Sequence, residues 1–352
     1  MTTTLEDART ALAATSGLAE IIHPYGDQLA FRSARNDAGQ DEVWFDLGRQ
    51  SYRLEREAAF SAVTRLPGGS ETMAERWPLD LVIPALTFFF QHREGEFKAL
   101  VDSEGTLRQF VKPSALLFDP VRVLDAMADA MGQHGGKENV VVKDFTHSLD
   151  ETHFSVIVPQ GMAESFVEAR PGDVTVGGLY FTGSLLGKGK TELAVFTDRV
   201  LCSNGMVSPA SSTRFRAGNT EEGAEGPMDK MLEWLVTSCE SLTHHSLPEE
   251  FQRLRHLTEH VVDDAHLATT MADIFSRFSI PATAHSPIHE ALVEEADGTM
   301  YGIVQAITRA AQHAPGLTDS QRYALMRRGG DVTLHAQVLC DTCQRPMPDG
   351  AA

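Results

Sequence analysis

Two short strings carry residue types that could hold a metal. His256-Leu-Thr-Glu259-His260 is an H-x-x-E-H motif, and on a helix that spacing sets two imidazoles on one face to share zinc, with Glu259 as general base. It predicts a zinc-dependent hydrolase, against the plainer reading of a solvated helix face. Glu290, Glu294 and Glu295 follow on a later helical segment, but nothing in the sequence returns them to His256 as a third ligand. Near the end of the chain, Cys340-x-x-Cys343 has His335 five residues before it. Two thiolates at this spacing can hold adjacent tetrahedral corners of a structural zinc, which Cys202, Cys239 or a second subunit could complete. The competing reading is a pair of reduced thiols in a tail.

A third constellation is cationic. Between Val174 and Arg216 stand Lys188, Lys190, Arg199, Arg214 and Arg216 against Glu192 and Asp198, with Tyr180, Phe181 and Phe215 interleaved. Aromatic faces beside cations suit a single-stranded DNA groove that stacks bases and tracks phosphates. Core aromatics and water-facing hairpin lysines would give the same pattern. The segment from Gly183 to Thr191 ends like a phosphate loop, yet the glycine needed five positions before Gly189 is Ser184, and strands flank it on both sides, where a phosphate loop leads into a helix. Nucleophile-elbow, dinucleotide-fingerprint and Cys-His-Asn patterns do not stand out at informative spacing. The chain carries no complete enzyme signature and reads as non-enzymatic.

Composition bounds these options. A net charge of -19 over 352 residues excludes a uniformly basic nucleic-acid surface and leaves room only for a local groove. The longest apolar run, Leu81 to Phe90, contains Pro84 and Thr87 and falls far short of the ~20 residues a bilayer requires. Neither a membrane span nor a secretory leader is expected from MTTTLEDART, and four cysteines do not make a disulfide scaffold. A cytoplasmic setting follows as the expectation.

The elements that must position these residues read as α+β. Residues 51–66 and 79–91 have helical apolar faces, the second despite Pro84; 96–102 and 107–112 read as a hairpin, and Pro120 to Met131 as a helix stopped by Gly132. Strand pairs follow at 139–145 with 152–158 and at 174–185 with 192–202. After AGNTEEGAEGP, six helical segments run from 228 to 328, with Gly329-Gly330 as the expected stop. The prediction is an antiparallel-sheet-rich domain with packed helices over 1–216, a Gly/Glu-rich linker over 217–227, and a mainly helical domain over 228–352 with its C-x-x-C tail.

Several segments together resemble the phage/plasmid-like protein family defined by domain of unknown function 932. They include Tyr52-Arg-Leu-Glu-Arg-Glu-Ala58, the strand beginning Lys98-Ala-Leu-Val-Asp, and Pro171-Gly-Asp173 with Gly177-Gly-Leu-Tyr-Phe-Thr-Gly-Ser184. Arg199-Val-Leu-Cys-Ser-Asn-Gly-Met206, Met300-Tyr-Gly-Ile-Val-Gln-Ala-Ile-Thr308 and the terminal C-x-x-C complete the likeness, which spans most of 50–345. Gly183-Ser184 departs from the family's Asn-Ser. The resemblance implies a mobile-element setting and carries over no catalytic residues. The order of hairpin, strand, helix and further strands is also similar to the core of Rad52-type single-strand annealing proteins, an analogy of folds alone. The expected function is therefore a homo-oligomeric accessory protein of DNA metabolism that binds or anneals single-stranded DNA. The alternatives are the zinc-dependent hydrolase and a phage structural or host-interaction protein without nucleic-acid contact.

Overall fold

The computed structural model describes the chain except residues 1, 16, 17, 65, 67, 68, 70–75, 77, 112, 114–116, 118, 134, 135, 137, 138, 148–151, 158–166, 169–173, 185–190, 200–203, 216–226, 296 and 336–352. The chain is α+β: an N-terminal part rich in antiparallel strands with packed helices leads into a mostly helical C-terminal region. It divides into two compact units. The larger holds Met1–Leu12, Pro120–Gly183 and Gly189–Ala352; the smaller holds Ala13–Asp119 and Ser184–Lys188. This division differs from the expected one, because the helices after residue 227 share a unit with the second sheet. The expected linker over 217–227 lies outside the described residues except for Pro227.

The smaller unit is built on β2 (Ala19–Pro24), β3 (Leu29–Arg35), β4 (Asp41–Leu47), β5 (Gln50–Leu54), β6 (Glu96–Val101) and β7 (Thr106–Val111), in the order β2-β6-β7-β5-β4-β3. Every pairing is antiparallel except β5 with β7. Helices α2 (Arg56–Val63) and α3 (Leu79–His92) belong to the same unit. The helix expected from residue 51 begins later, since Tyr52, Arg53 and Leu54 pair with Phe45, Trp44 and Val43. Its core is aromatic: Phe31, Phe45, Phe90, Phe97 and Phe110 are buried, with neighbouring ring centroids from 4.9 to 6.0 Å apart, mostly edge-to-face or tilted. Such geometry suits the ring quadrupole and adds to the area each ring removes from water. Strand β3 is a sheet edge, and α3 occupies part of it. The Thr87 hydroxyl accepts from the Phe31 amide at 2.9 Å, and the Gln91 amide donates to the Leu29 carbonyl at 2.7 Å, satisfying backbone groups the edge leaves open.

The larger unit contains β1 (Thr2–Thr4), β8 (Val141–His147), β9 (Thr152–Ile157), β10 (Val167–Glu168), β11 (Val174–Gly183), β12 (Glu192–Arg199) and β13 (Asn204–Arg214). The antiparallel order is β1-β8-β9-β11-β12-β13, with β10 also on β11. Its helices are α1 (Leu5–Thr15) as far as Leu12, α4 (Pro120–Gly132), α5 (Pro227–Ser241), α6 (Leu247–Glu259), α7 (Asp264–Arg277), α8 (Ala282–Glu295), α9 (Met300–His313) and α10 (Asp319–Leu334), with a π-helical turn at Leu242–Ser246. Strands β9 and β12 are buried at every residue, and α9 is buried over most of its length. A sheet covered by helices on this scale reads in sequence as apolar runs with little alternation. Among the described residues, no helix is long and apolar enough to cross a membrane.

Gly329 and Gly330 do not stop α10. The helix passes through both and ends at Leu334, because the glycines allow close approach. A Cβ on Gly330 would lie 2.3 Å from the Val207 carbonyl oxygen on β13, and one on Gly329 would lie 2.8 Å from Thr308 Cγ2 on α9. Neither neighbour is the end of a long flexible side chain, so relief requires movement of the packed elements. Gly330→Ala is therefore expected to cost about 1–3 kcal/mol through overpacking, read as a lower midpoint in urea or heat. An unchanged or higher midpoint, as helix propensity alone would give, would show that α10 does not approach β13 this closely.

Candidate nucleic-acid interface

Arg199, one of the cations expected to line a groove, belongs to a strand with no solvent face. β12 carries Glu192, Asp198 and Arg199, all buried. Asp198 pairs with buried Lys143 from β8. Burial pushes the Asp198 carboxyl above its ordinary range, against the pull of the Lys143 ammonium. Arg199 pairs with buried Glu295 at the end of α8, and Glu295 also meets Arg309 of α9 at 3.3 Å. The Arg199 guanidinium lies 6.0 Å from the ring of Tyr301, whose hydroxyl is 2.9 Å from that of Thr175 on β11.

At the other end of β12, Glu192 takes two guanidiniums: Arg214 of β13 at 3.0 Å and Arg327 of α10. Burial alone would raise its carboxyl, but the hydrogen bonds and charges of Arg327 and Arg214 outweigh that and hold it below the usual carboxylate range. Arg327 also donates to the Tyr323 hydroxyl at 2.9 Å, and the Tyr323 ring stacks on Tyr180 with centroids 5.0 Å apart and planes 11° from parallel. Phe181 is fully buried and stacks on Phe154 at 5.2 Å.

These placements correct the expected groove. Tyr180 and Phe181 are core aromatics, and Arg199 is a core cation, so none of the three offers a face or a charge to a DNA strand. The plainer reading holds for them. Lys188, Lys190 and Arg216 lie outside the described residues. Of the expected cations that are described, Arg214 alone is open, with 43 % of its side chain exposed.

One aromatic pair includes Phe215, the residue after Arg214. The Phe215 amide donates to the Thr191 carbonyl at 3.0 Å, extending the pairing of β12 and β13 by one residue. The ring of Phe215 is 5.5 Å from that of Trp234 on α5, with planes at 52°. The indole N–H of Trp234 points to the Thr213 hydroxyl at 3.4 Å, and both rings are partly exposed. Sequence reasoning missed Trp234. Its signal is a tryptophan between Met231 and Leu235, which face the core, yet without full burial itself.

The H-x-x-E-H motif comes apart. Helix α6 ends at Glu259, and His260 takes an extended backbone with φ -90° and ψ 94°. It is buried, and its carbonyl accepts from the Met300 amide at 2.9 Å. His256 remains on the partly exposed face, with Nδ1 3.9 Å from Glu259. The H-x-x-E-H spacing thus crosses a helix end, and the two imidazoles do not share a helical face. Among the described residues, no group of three or more His, Cys, Asp or Glu is placed to hold a metal ion. His335 is the C-cap of α10, exposed, with its ring 5.9 Å from Phe278. Cys340 and Cys343 lie outside the described residues. Cys239 on α5 is buried, and burial pushes its thiol up to about 12, so it is an inert core residue.

Comparison with known proteins finds no matching family model, no matching curated protein and no matching solved structure.

The doubly paired Glu192 yields a pH-dependent expectation. Its lowered pKa in the folded state means that its contribution is present above the ordinary carboxylate pKa and is lost as pH falls through the folded value. Glu192→Gln should therefore lower stability near pH 7 by roughly 1.5–3 kcal/mol, the range for hydrogen bonds to charged groups. The gap from wild type should close as the pH is taken below the ordinary carboxylate range. A gap that is absent at pH 7, or that widens in acid, would contradict the assignment.

Proposed function

We propose that the chain is a non-enzymatic accessory protein of DNA metabolism that binds single-stranded DNA at the sheet end that carries Arg214, Phe215 and Trp234. The observation that carries this reading is the Phe215–Trp234 ring pair, partly exposed and 5.5 Å apart, at the strand end where exposed Arg214 directly precedes Phe215 in the chain. Aromatic faces supply sequence-tolerant stacking, and a cation beside them tracks the phosphates. Lys190 directly precedes Thr191, whose carbonyl is bonded to Phe215, and Arg216 directly follows Phe215. A net charge of -19 repels DNA elsewhere and favours one confined contact. A homo-oligomer would set several such ends along one strand, and the resemblance to the phage/plasmid-like family supplies the mobile-element setting.

A second reading, a protein-interaction role without nucleic acid, is favoured by α3. Leu81 and Phe88, seven residues apart on one helical face, are 59 % and 64 % exposed. Large apolar side chains sharing an open face are a feature of contact surfaces.

Fluorescence anisotropy with a labelled oligothymidylate tests the first reading. Wild-type protein should bind at ~50 mM salt and lose affinity steeply as salt rises, because each neutralised phosphate releases counterions. Trp234→Ala should weaken binding about 5- to 150-fold, the range for one lost stacking contact. Reversing Lys188 and Lys190, or Arg214, to glutamate should weaken binding to all sequences alike. Absence of binding by wild type at ~50 mM salt, where such contacts are strong, would remove single-stranded DNA and leave the interaction role.

A further inference from the structure

The smaller unit holds a cavity of about 490 Å3 lined by residues of β4, β5, β7, α2 and α3. Its lining includes apolar Val63 from α2 and Ile83 and Leu86 from α3. It also carries charge of both signs, with Glu42 from β4 and Arg53 from β5 beside Glu55, Arg108 and Asp41, the last turned to Arg35 at 3.4 Å. The volume lies within the ~300–1,000 Å3 typical of small-molecule sites, which combine apolar walls with a few converging polar groups.

The charged groups differ in how far they are satisfied. Arg108 is held at 2.6 Å by both Glu55 and Asp102, a closed arrangement with little left for a ligand. Arg53 is loose. Its guanidinium stands 3.8 Å from Glu42 and 3.3 Å from the Thr106 hydroxyl, and Glu42 has only a long contact of 3.4 Å from the Asn36 amide besides. A guanidinium and a carboxylate therefore border the cavity side by side without a short bond between them. Charge-assisted hydrogen bonds to an ionised partner run nearer 2.7–2.9 Å, so both groups retain capacity for a closer partner.

We propose that this cavity binds a small zwitterion with one apolar side chain, the chemical class of an apolar α-amino acid. In such a molecule the ammonium and the carboxylate sit on one carbon, so its receptor needs opposite charges close together. Arg53 takes the carboxylate, Glu42 takes the ammonium, and the side chain lies against Val63, Ile83 and Leu86. A simple organic anion would face Glu42 uncompensated, and a simple organic cation would face Arg53. The zwitterion meets both. This site is independent of the DNA contact proposed above.

Calorimetric titration of the full chain with phenylalanine and with leucine tests the assignment, alongside N-acetylphenylalanine, phenylalanine amide and glycine. Phenylalanine or leucine should bind, and each analogue lacking one charge or the side chain should bind at least about tenfold more weakly, the scale of one lost hydrogen-bonded charge or one unburied apolar side chain. Arg53→Gln and Glu42→Gln should each cause a similar loss. The analogue series decides the matter even if a variant folds poorly. Equal binding of N-acetylphenylalanine would make the site an anion site, and equal binding of the amide would make it a cation site; either overturns the proposal. No heat from phenylalanine or leucine up to about 10 mM, beyond the weak end of the usual affinity scale, overturns it as well.

Discussion

Glu192 is a carboxylate inside the larger unit, and its two guanidinium partners come from different layers: Arg214 from the neighbouring strand and Arg327 from α10. A buried charge costs several kcal/mol unless it is paired and hydrogen-bonded, so β12 is tolerable as a buried strand only with α10 in place. The same constraint recurs around it. Arg199 needs Glu295 from α8, and Glu250 on α6, fully buried, receives the Ser208 hydroxyl of β13 at 3.0 Å and the Arg253 guanidinium at 2.7 Å. The mostly helical C-terminal region is thus tied to the sheet by polar groups that neither part can satisfy alone. This accounts for its membership in the same compact unit, against the expectation of a separate helical domain.

The elements that were legible in the sequence are those with strong local signals. Pro120 at the start and Gly132 at the end delimit α4 as expected, the 96–112 hairpin forms β6 and β7, and α3 forms despite Pro84, which lies on an exposed face. The α+β class follows from these. What could not be read locally was decided by distant partners. Residues 51–54 carry a helical pattern but find pairing partners on β4 and β7, and tertiary pairing overrides local preference. Gly329-Gly330 looks like a stop until β13 lies against it.

Tyr180, Phe181 and Arg199, expected at the groove, are buried for the same reason. Charges at the ends of an apolar strand look alike whether they meet water or a buried counterion, and Arg199 meets Glu295, 96 residues away. Counting only the near acids, Glu192 and Asp198, makes 174–216 look basic; Glu192 is claimed by Arg214 and Arg327, while Asp198 is claimed by Lys143. The degree of satisfaction of each cation is the quantity that separates structure from function here. Arg199 and Arg108 are closed by short contacts, whereas Arg53 is loosely held and Arg214 is half exposed.

The central claim is that buried charges make the second sheet and the C-terminal helices one cooperative structure. Native-state hydrogen exchange at increasing urea measures this directly, because elements that open together share one opening free energy. The account predicts that amides of β12, β13, α8, α9 and α10 lose protection together, with one dependence on urea. Loss of protection in α8 to α10 at lower urea, while β12 and β13 stay protected, would contradict it.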